Sequence, residues 1–184
     1  MLEYLKKGRD SYTGRDKAIR NYLIALLMLD AGLRVGEAIR LVRDDLVNED
    51  KPTETLVIRA EITKTKQERI VPLTLRIQNA ICDFLAIHKI KYNIFPRDFM
   101  FPGQDCTKHI TVRTIELLIS TASARSFGRA ITPHTLRHTF ATRLMQRTNI
   151  RVVQKLLGHT SIASTQVYTH PNQDDLINAI KSIE

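Results

Sequence analysis

Residues His134 to His138, "HTLRH", place two imidazoles and a guanidinium within little more than one helical turn. Three roles suit such a group: a metal site, a solvated polar helix face, or a clamp on a phosphate. At about 100° per residue, His134 and His138 share one side of a helix, and Arg137 lies between that side and the apolar stripe of Leu136 and Phe140. As a zinc pair they would act like the i, i+4 histidines of H-E-x-x-H. Thr135 stands where that chemistry needs a glutamate, and Arg137 would repel a dication. A solvated polar helix face remains the ordinary alternative to the phosphate clamp, and the rest of the sequence decides between them. Other groups able to handle a phosphate or a proton are Arg34 in "AGLRVGEAIRL", Lys64 in "TKTKQ", His159 in "LLGHTS" and Tyr168 in "VYTH". Each has an ordinary structural alternative: a helix cap, a turn lysine, a core aromatic.

The elements that must position these groups are readable from pattern. "KAIRNYLIALLMLDAG" predicts a buried helix ended by Gly32 in the left-handed conformation. "VGEAIRLVRDDL" predicts a helix that restarts at once, which puts Leu33 and Arg34 at a sharp helix–helix junction. "ETLVIRAEI" and "ERIVPL" are short and β-branched, so they read as two antiparallel strands around the polar turn "TKTKQ", with Pro72 at an edge or a strand end. Helices follow in "TLRIQNAICDFLAIHK", with Ile77, Ile81, Phe84 and Ile87 on one face, and from Thr111, with Val112, Ile115, Leu118 and Ile119 on one face. Between them "NIFPRDFMFPGQD" is a loop. The "HTLRH" helix starts with Thr132 as N-cap and Pro133 as first residue, and carries Leu136, Phe140 and Leu144 inward. "IRVVQKLLG" is a helix stopped by Gly158, and "SIASTQVYTHP" a short one halted by Pro171. Leu176, Ile177, Ile180 and Ile183 are spaced for a C-terminal helical stripe. The expected fold is α+β, mainly helical with a small antiparallel sheet.

Composition narrows the partner. The 184 residues suit one domain with a sizeable core, and 43% hydrophobic residues argue against disorder. A net charge of +9 favours a polyanionic partner, nucleic acid before membrane, since no isolated basic amphipathic helix stands out. The longest apolar run, "YLIALLML", is too short to span a bilayer, and no signal peptide precedes it. Cys82 and Cys106 are far apart, which fits a reducing compartment, the cytosol or its nuclear equivalent, and argues against a disulfide scaffold or a thiolate metal site.

Taken in order, "AGLRVGEAIRL", "TKTKQERIVPL", "HTLRH", "LLGHTS" and "VYTH" resemble the catalytic domain of the tyrosine recombinases, the phage-integrase family, over nearly the whole chain. The resemblance implies attack of a tyrosine on a DNA phosphodiester, leaving a 3′-phosphotyrosyl link and a free 5′-hydroxyl. Tyr168 matches the nucleophile, His134 the base-like residue, Arg34 and Arg137 the pair on the non-bridging oxygens, and His159 a further donor. Lys64 matches the lysine that protonates the leaving oxygen, with Lys66 two positions on as the register alternative. His138 is left to support or packing. Gly36, where many relatives carry Ser, changes nothing in the chemistry.

The implied partners are double-stranded DNA and further copies of the chain, four protomers in the assembled complex. No cofactor, metal or membrane is expected. The resemblance also implies a separate helical DNA-clamping domain; "MLEYLKKGRDSYTGRD" is too short to be that domain, so residues 1–184 are expected to be a single catalytic domain. Two other functions are weighed. A type IB topoisomerase shares the tyrosine chemistry, but the position of His134 is generally not histidine there. A DNA-binding regulator that lost its chemistry would not need the matched site positions intact.

Overall fold

The computed structural model describes residues 1–7, 12–91, 95, 97–104 and 107–159. The readings of a short helix in "SIASTQVYTHP", of Tyr168 and of a C-terminal helical stripe lie outside the described residues.

Helix α1 (Leu2–Lys7) leads into α2 (Tyr12–Asp30), the element around which the rest packs. Six consecutive residues, Leu23 to Met28, are almost fully inaccessible. A helix apolar on every side must be covered on every side, and α2 is, by α1, α5 and α7. Gly32 follows at φ +67°, the left-handed value expected of it, and Leu33 N–H returns to Leu27 O at 3.1 Å. The turn delivers Arg34 to the N-cap of α3 (Val35–Ala38), at the junction the sequence predicts.

The single helix expected in "VGEAIRLVRDDL" is instead two short ones, α3 and α4 (Arg43–Leu46). A turn at Ile39 and Arg40 ends α3, and only Leu41 and Val42 are drawn out of helical conformation. Ile39 and Leu41 are buried, Leu41 O accepts Met100 N–H at 2.8 Å, and Val42 bridges Phe99. Asp45 caps the new start by accepting Val42 N–H at 2.8 Å. Contacts with a distant loop therefore outweigh local helical preference.

Strands β1 (Val47–Asn48) and β2 (Lys51–Pro52) form a small ribbon that the sequence reading missed. Its turn residues, Glu49 and Asp50, have φ of 46° and 63° without the Asn-Gly signal that usually marks such turns. The expected pair is present as β3 (Thr55–Ile58) and β4 (Arg69–Pro72), antiparallel, with Leu56 opposite Val71 and Ile58 opposite Arg69. Pro72 is at the strand end, as expected. "RAEI" does not continue β3, since Ala60–Ile62 close into a 3₁₀ turn. Among the described residues the strands thus form two separate ribbons.

Helix α5 (Leu75–Lys91) buries Ile77, Ile81 and Phe84. Helix α6 (Val112–Phe127) starts at Thr111, whose hydroxyl accepts Thr114 N–H at 3.1 Å, and buries Ile115 and Ile119. Val112 departs from the expected apolar face: it is 37% exposed and lines a cleft. Helix α7 (Pro133–Met145) has Thr132 as N-cap, and α8 (Ile150–Leu157) ends at Gly158 with φ +63°. A satellite cluster of Ala141, Val153 and Leu157, with Phe140 and Leu144 against it, joins α7 to α8. No helix among the described residues is long and apolar enough to cross a membrane.

Gly32 has no room for a side chain. A Cβ there would overlap the Phe140 ring and come within 3.3 Å of Leu157. Gly32→Ala combines this overlap with an unfavourable positive φ, so a loss of about 2–4 kcal/mol in denaturant unfolding is expected. A loss under about 0.5 kcal/mol would show that the ring moves aside freely.

Candidate functional site

The site is organised around a carboxylate absent from the sequence-derived set. Glu37, in the single turn of α3, is 1% exposed and meets three guanidinium groups. Arg34 donates its backbone N–H to Oε2 at 2.8 Å and its NH1 to Oε1 at 2.9 Å. Arg69, from the first position of β4, places NH1 on Oε1 at 3.1 Å and NH2 on Oε2 at 2.6 Å, a two-pronged pair. Arg137 approaches with NH1 at 3.8 Å from Oε2. Burial alone would raise the Glu37 pKa. The hydrogen bonds and charge of Arg69, aided by Arg34 N–H and Arg137, outweigh it and hold the carboxyl below its ordinary value.

Helix ends supply the remaining partners. The last carbonyls of a helix have no partner inside it and carry partial negative charge, so cations settle there. Arg137 is 2% exposed and reaches two such ends: NH1 donates to Gly32 O beyond α2, and NH2 to Leu157 O of α8 at 2.7 Å. Arg69 Nε donates to Leu156 O at 3.0 Å. Gly158 lets the chain leave α8 here, and a Cβ on it would lie 2.9 Å from Arg69 Cδ.

His159 follows directly. Its N–H donates to Gln154 O at 3.1 Å, and its Nε2 lies 3.3 Å from Arg137 NH2. An arginine can only donate, so Nε2 is the lone-pair nitrogen and the ring proton is on Nδ1. Burial lowers the His159 pKa, and the charges of Arg137, Arg34 and Arg69 lower it further, to about 4 against the opposing pull of Glu37. An arriving phosphodiester, with a single negative charge, would offset part of that field.

Above this buried frame opens a cleft of about 600 Å³ bordered by Arg34, Arg40, Lys64, Lys66, His134 and Arg137. Of the six sequence-derived residues, the cleft brings together Arg34, Lys64, His134 and Arg137, and His159 joins through Arg137. Tyr168 lies outside the described residues. Lys64 and His134 are exposed, whereas the guanidiniums are half-buried or buried. Both turn lysines face the cleft, with Lys66 at φ 53°. His138, one turn beyond His134, lies 3.4 Å from Thr142 Oγ1 and does not line the cleft. Arg34, Arg69 and Arg137 against Glu37 leave two surplus positive charges in and beneath this wall of the cleft, with the carboxylate of Glu61 also on the lining. Such an excess favours a doubly held anion. Among the described residues no three His, Cys, Asp or Glu side chains are grouped to hold a metal.

Glu37 and Arg69 were both missed by sequence reasoning, and each had a signal. Glu37 stands three residues after the N-cap Arg34, the reach-back position of a capping box. Arg69 alternates with Val71 on the inward face of a strand, where a charge needs a partner.

The sequence profile described as the phage integrase family matches residues 3–175. The tyrosine recombinase XerC of Methylobacterium nodulans is 35% identical over 162 residues, 87% of this chain and 48% of that protein. The XerC of Caldanaerobacter subterraneus is 34% identical over 183 residues, 97% of this chain and 49% of that protein. The chain therefore spans about half the length of these relatives. Among solved structures, an XerA recombinase superposes with a TM-score of 0.73 at 26% identity, covering 100% of this chain and 62% of that one. The XerH site-specific recombinase bound to difH substrate gives a TM-score of 0.76 at 24% identity, covering 100% of this chain and 51% of that one, a likeness of fold.

The two lowered pKa values carry the same sign. His159 binds protons less readily when folded, so its share of stability is complete above the free-histidine value of 6.5 and is lost as pH falls towards about 4. The Glu37 share is present above the ordinary carboxylate value and is lost as pH falls through its lowered one. Thermal melts across this range should show the midpoint falling from pH 6.5 downward. His159→Gln should flatten the upper part of the curve and leave the lower part. An identical curve for the variant would remove His159 from the account.

Proposed function

The chain belongs to the phage integrase family, and on that premise we propose that it catalyses site-specific DNA strand transfer through a tyrosine nucleophile. The observation that carries the reading is the cleft in which Arg34, Lys64, His134 and Arg137 meet above a buried frame with two surplus positive charges.

In this reading the phosphodiester sits with its non-bridging oxygens on Arg34 and Arg137, and His159 donates to the same group. Donors fixed in advance on developing charge are each worth about a hundred- to thousandfold in rate. The phenolic oxygen of Tyr168 attacks phosphorus. A free tyrosine has a pKa near 10, so about one in a thousand is ionised at pH 7 and activation must supply about 4 kcal/mol. His134 accepts the phenolic proton. The bond to the 5′-oxygen breaks, Lys64 protonates that oxygen, and a 3′-phosphotyrosyl ester remains. The ester keeps the bond energy, so a second 5′-hydroxyl can reverse the attack on a new strand without a nucleotide or a metal.

Double-stranded DNA is the proposed partner. Strand exchange between two duplexes calls for four copies of the chain, one for each strand cut. Residues 1–184 serve in this reading as one catalytic domain.

A pool of nicked duplexes of random sequence, incubated with the chain and recovered as SDS-stable adducts, tests the reading and reports the preferred site. The adduct should map to Tyr168. Tyr168→Phe should still bind DNA but form none, because the ring remains while the attacking oxygen is gone. An adduct from that variant would give the nucleophile to another residue.

Lys64→Ala should slow cleavage of the recovered duplex by about a hundredfold or more, and sulfur at the 5′-bridging position should restore most of it, since a thiolate leaves without a proton. Rescue seen with Lys66→Ala instead would move the acid two positions along the turn.

A further inference from the structure

We propose, resting on the strand-transfer reading, that Arg69 is a positioning residue for proton delivery by Lys64. Arg69 opens β4, five residues after Lys64, opposite Ile58. From there a single side chain touches two parts of the site. Its fork closes on both oxygens of Glu37, the acid that also holds Arg34, and its Nε reaches Leu156 O at the end of the helix that presents His159. The stem is confined too, because it packs directly on Gly158.

Arg69 is 7% exposed, its nitrogens are taken up by these partners, and unlike Arg137 it does not line the cleft, so it acts on the reaction through other residues. The turn between the strands transmits the constraint. Thr63 is buried at its base, with its hydroxyl 3.0 Å from Ala60 O and 3.2 Å from Gln67 O. Fixing Arg69 therefore fixes the base of the turn, and the exposed Lys64 swings from that base over the phosphate-binding pair. An ammonium at position 69 would keep the charge but could not span two carboxylate oxygens and a carbonyl at once.

The test uses Arg69→Lys on the duplex recovered from the nicked pool, made with oxygen or with sulfur at the 5′-bridging position. DNA binding should stay within about threefold of the parent, and cleavage of the oxygen duplex should fall about tenfold to a hundredfold. The sulfur duplex should be cut within about threefold of the parent rate. The ratio of the two rates does not depend on the folded fraction, so it separates misplacement of Lys64 from loss of stability. Equal losses on both duplexes, or no loss on either, would overturn the proposal. Arg69→Gln replaces the lysine variant if the latter does not fold. Hydrogen exchange in the free protein gives a readout that needs no cleavage. Amides of residues 63–68 should exchange about tenfold faster in the variant while those of α2 are unchanged. Unchanged exchange at the turn overturns the proposal, whereas absence of adducts from the parent chain counts against the strand-transfer reading alone.

Discussion

Glu37 carries a single negative charge into the place where three guanidinium groups converge, and the rest of the site is arranged by that meeting. Burying an ionised carboxylate costs several kcal/mol, and so does burying each arginine. Together they offset much of that cost, because opposite charges attract strongly where water is excluded. Take the carboxylate away and Arg34, Arg69 and Arg137 would repel one another across a few ångströms. Such an ion network contributes little net stability relative to an apolar core, and its use here lies in geometry. It sets which guanidiniums face inward, and how far Arg34 projects into the cleft.

The network depends on helix ends that open at the right places. Helices α2 and α8 both stop at left-handed glycines, and both leave carbonyls pointing at arginines instead of water. Phe140 fills the space beside Gly32, and the Arg69 stem fills the space beside Gly158. Neither glycine can gain a side chain without displacing a group on which the site relies. The turn chemistry that ends the helices is thus also the chemistry that seats the cations.

Burial divides the two walls of the cleft. One wall carries buried Arg137, held by Gly32 O and Leu157 O, beside the half-buried Arg34 on Glu37, with His159 drawn into the same field and kept neutral by it. The opposite wall is a short turn carrying exposed Lys64 and Lys66, tethered at its base through Thr63 and Arg69. A buried guanidinium frame facing exposed lysines suits the proposed strand transfer, in which the proton on the leaving oxygen must be given and later taken back.

Local pattern was enough for α2, α5, α6, α7 and α8, the β3–β4 ribbon, and the caps at Thr132 and Gly32, because each is written in a run of neighbouring residues, and it singled out the Arg34, Lys64, His134 and Arg137 that meet at one cleft. The same pattern suggested one helix where α3 and α4 are separated, and gave no sign of the β1–β2 ribbon. Those features are decided by chain that arrives from elsewhere: residues 98–100 pair with 41–43, and a two-residue turn forms without its usual glycine. The sequence alone singled out the groups whose chemistry and order resemble those of the family's site. Only the tertiary structure decided that Glu37 and Arg69, 32 positions apart in the chain, would share one buried ion pair. A charge's partner is set by packing in three dimensions, and no periodicity along the chain records it.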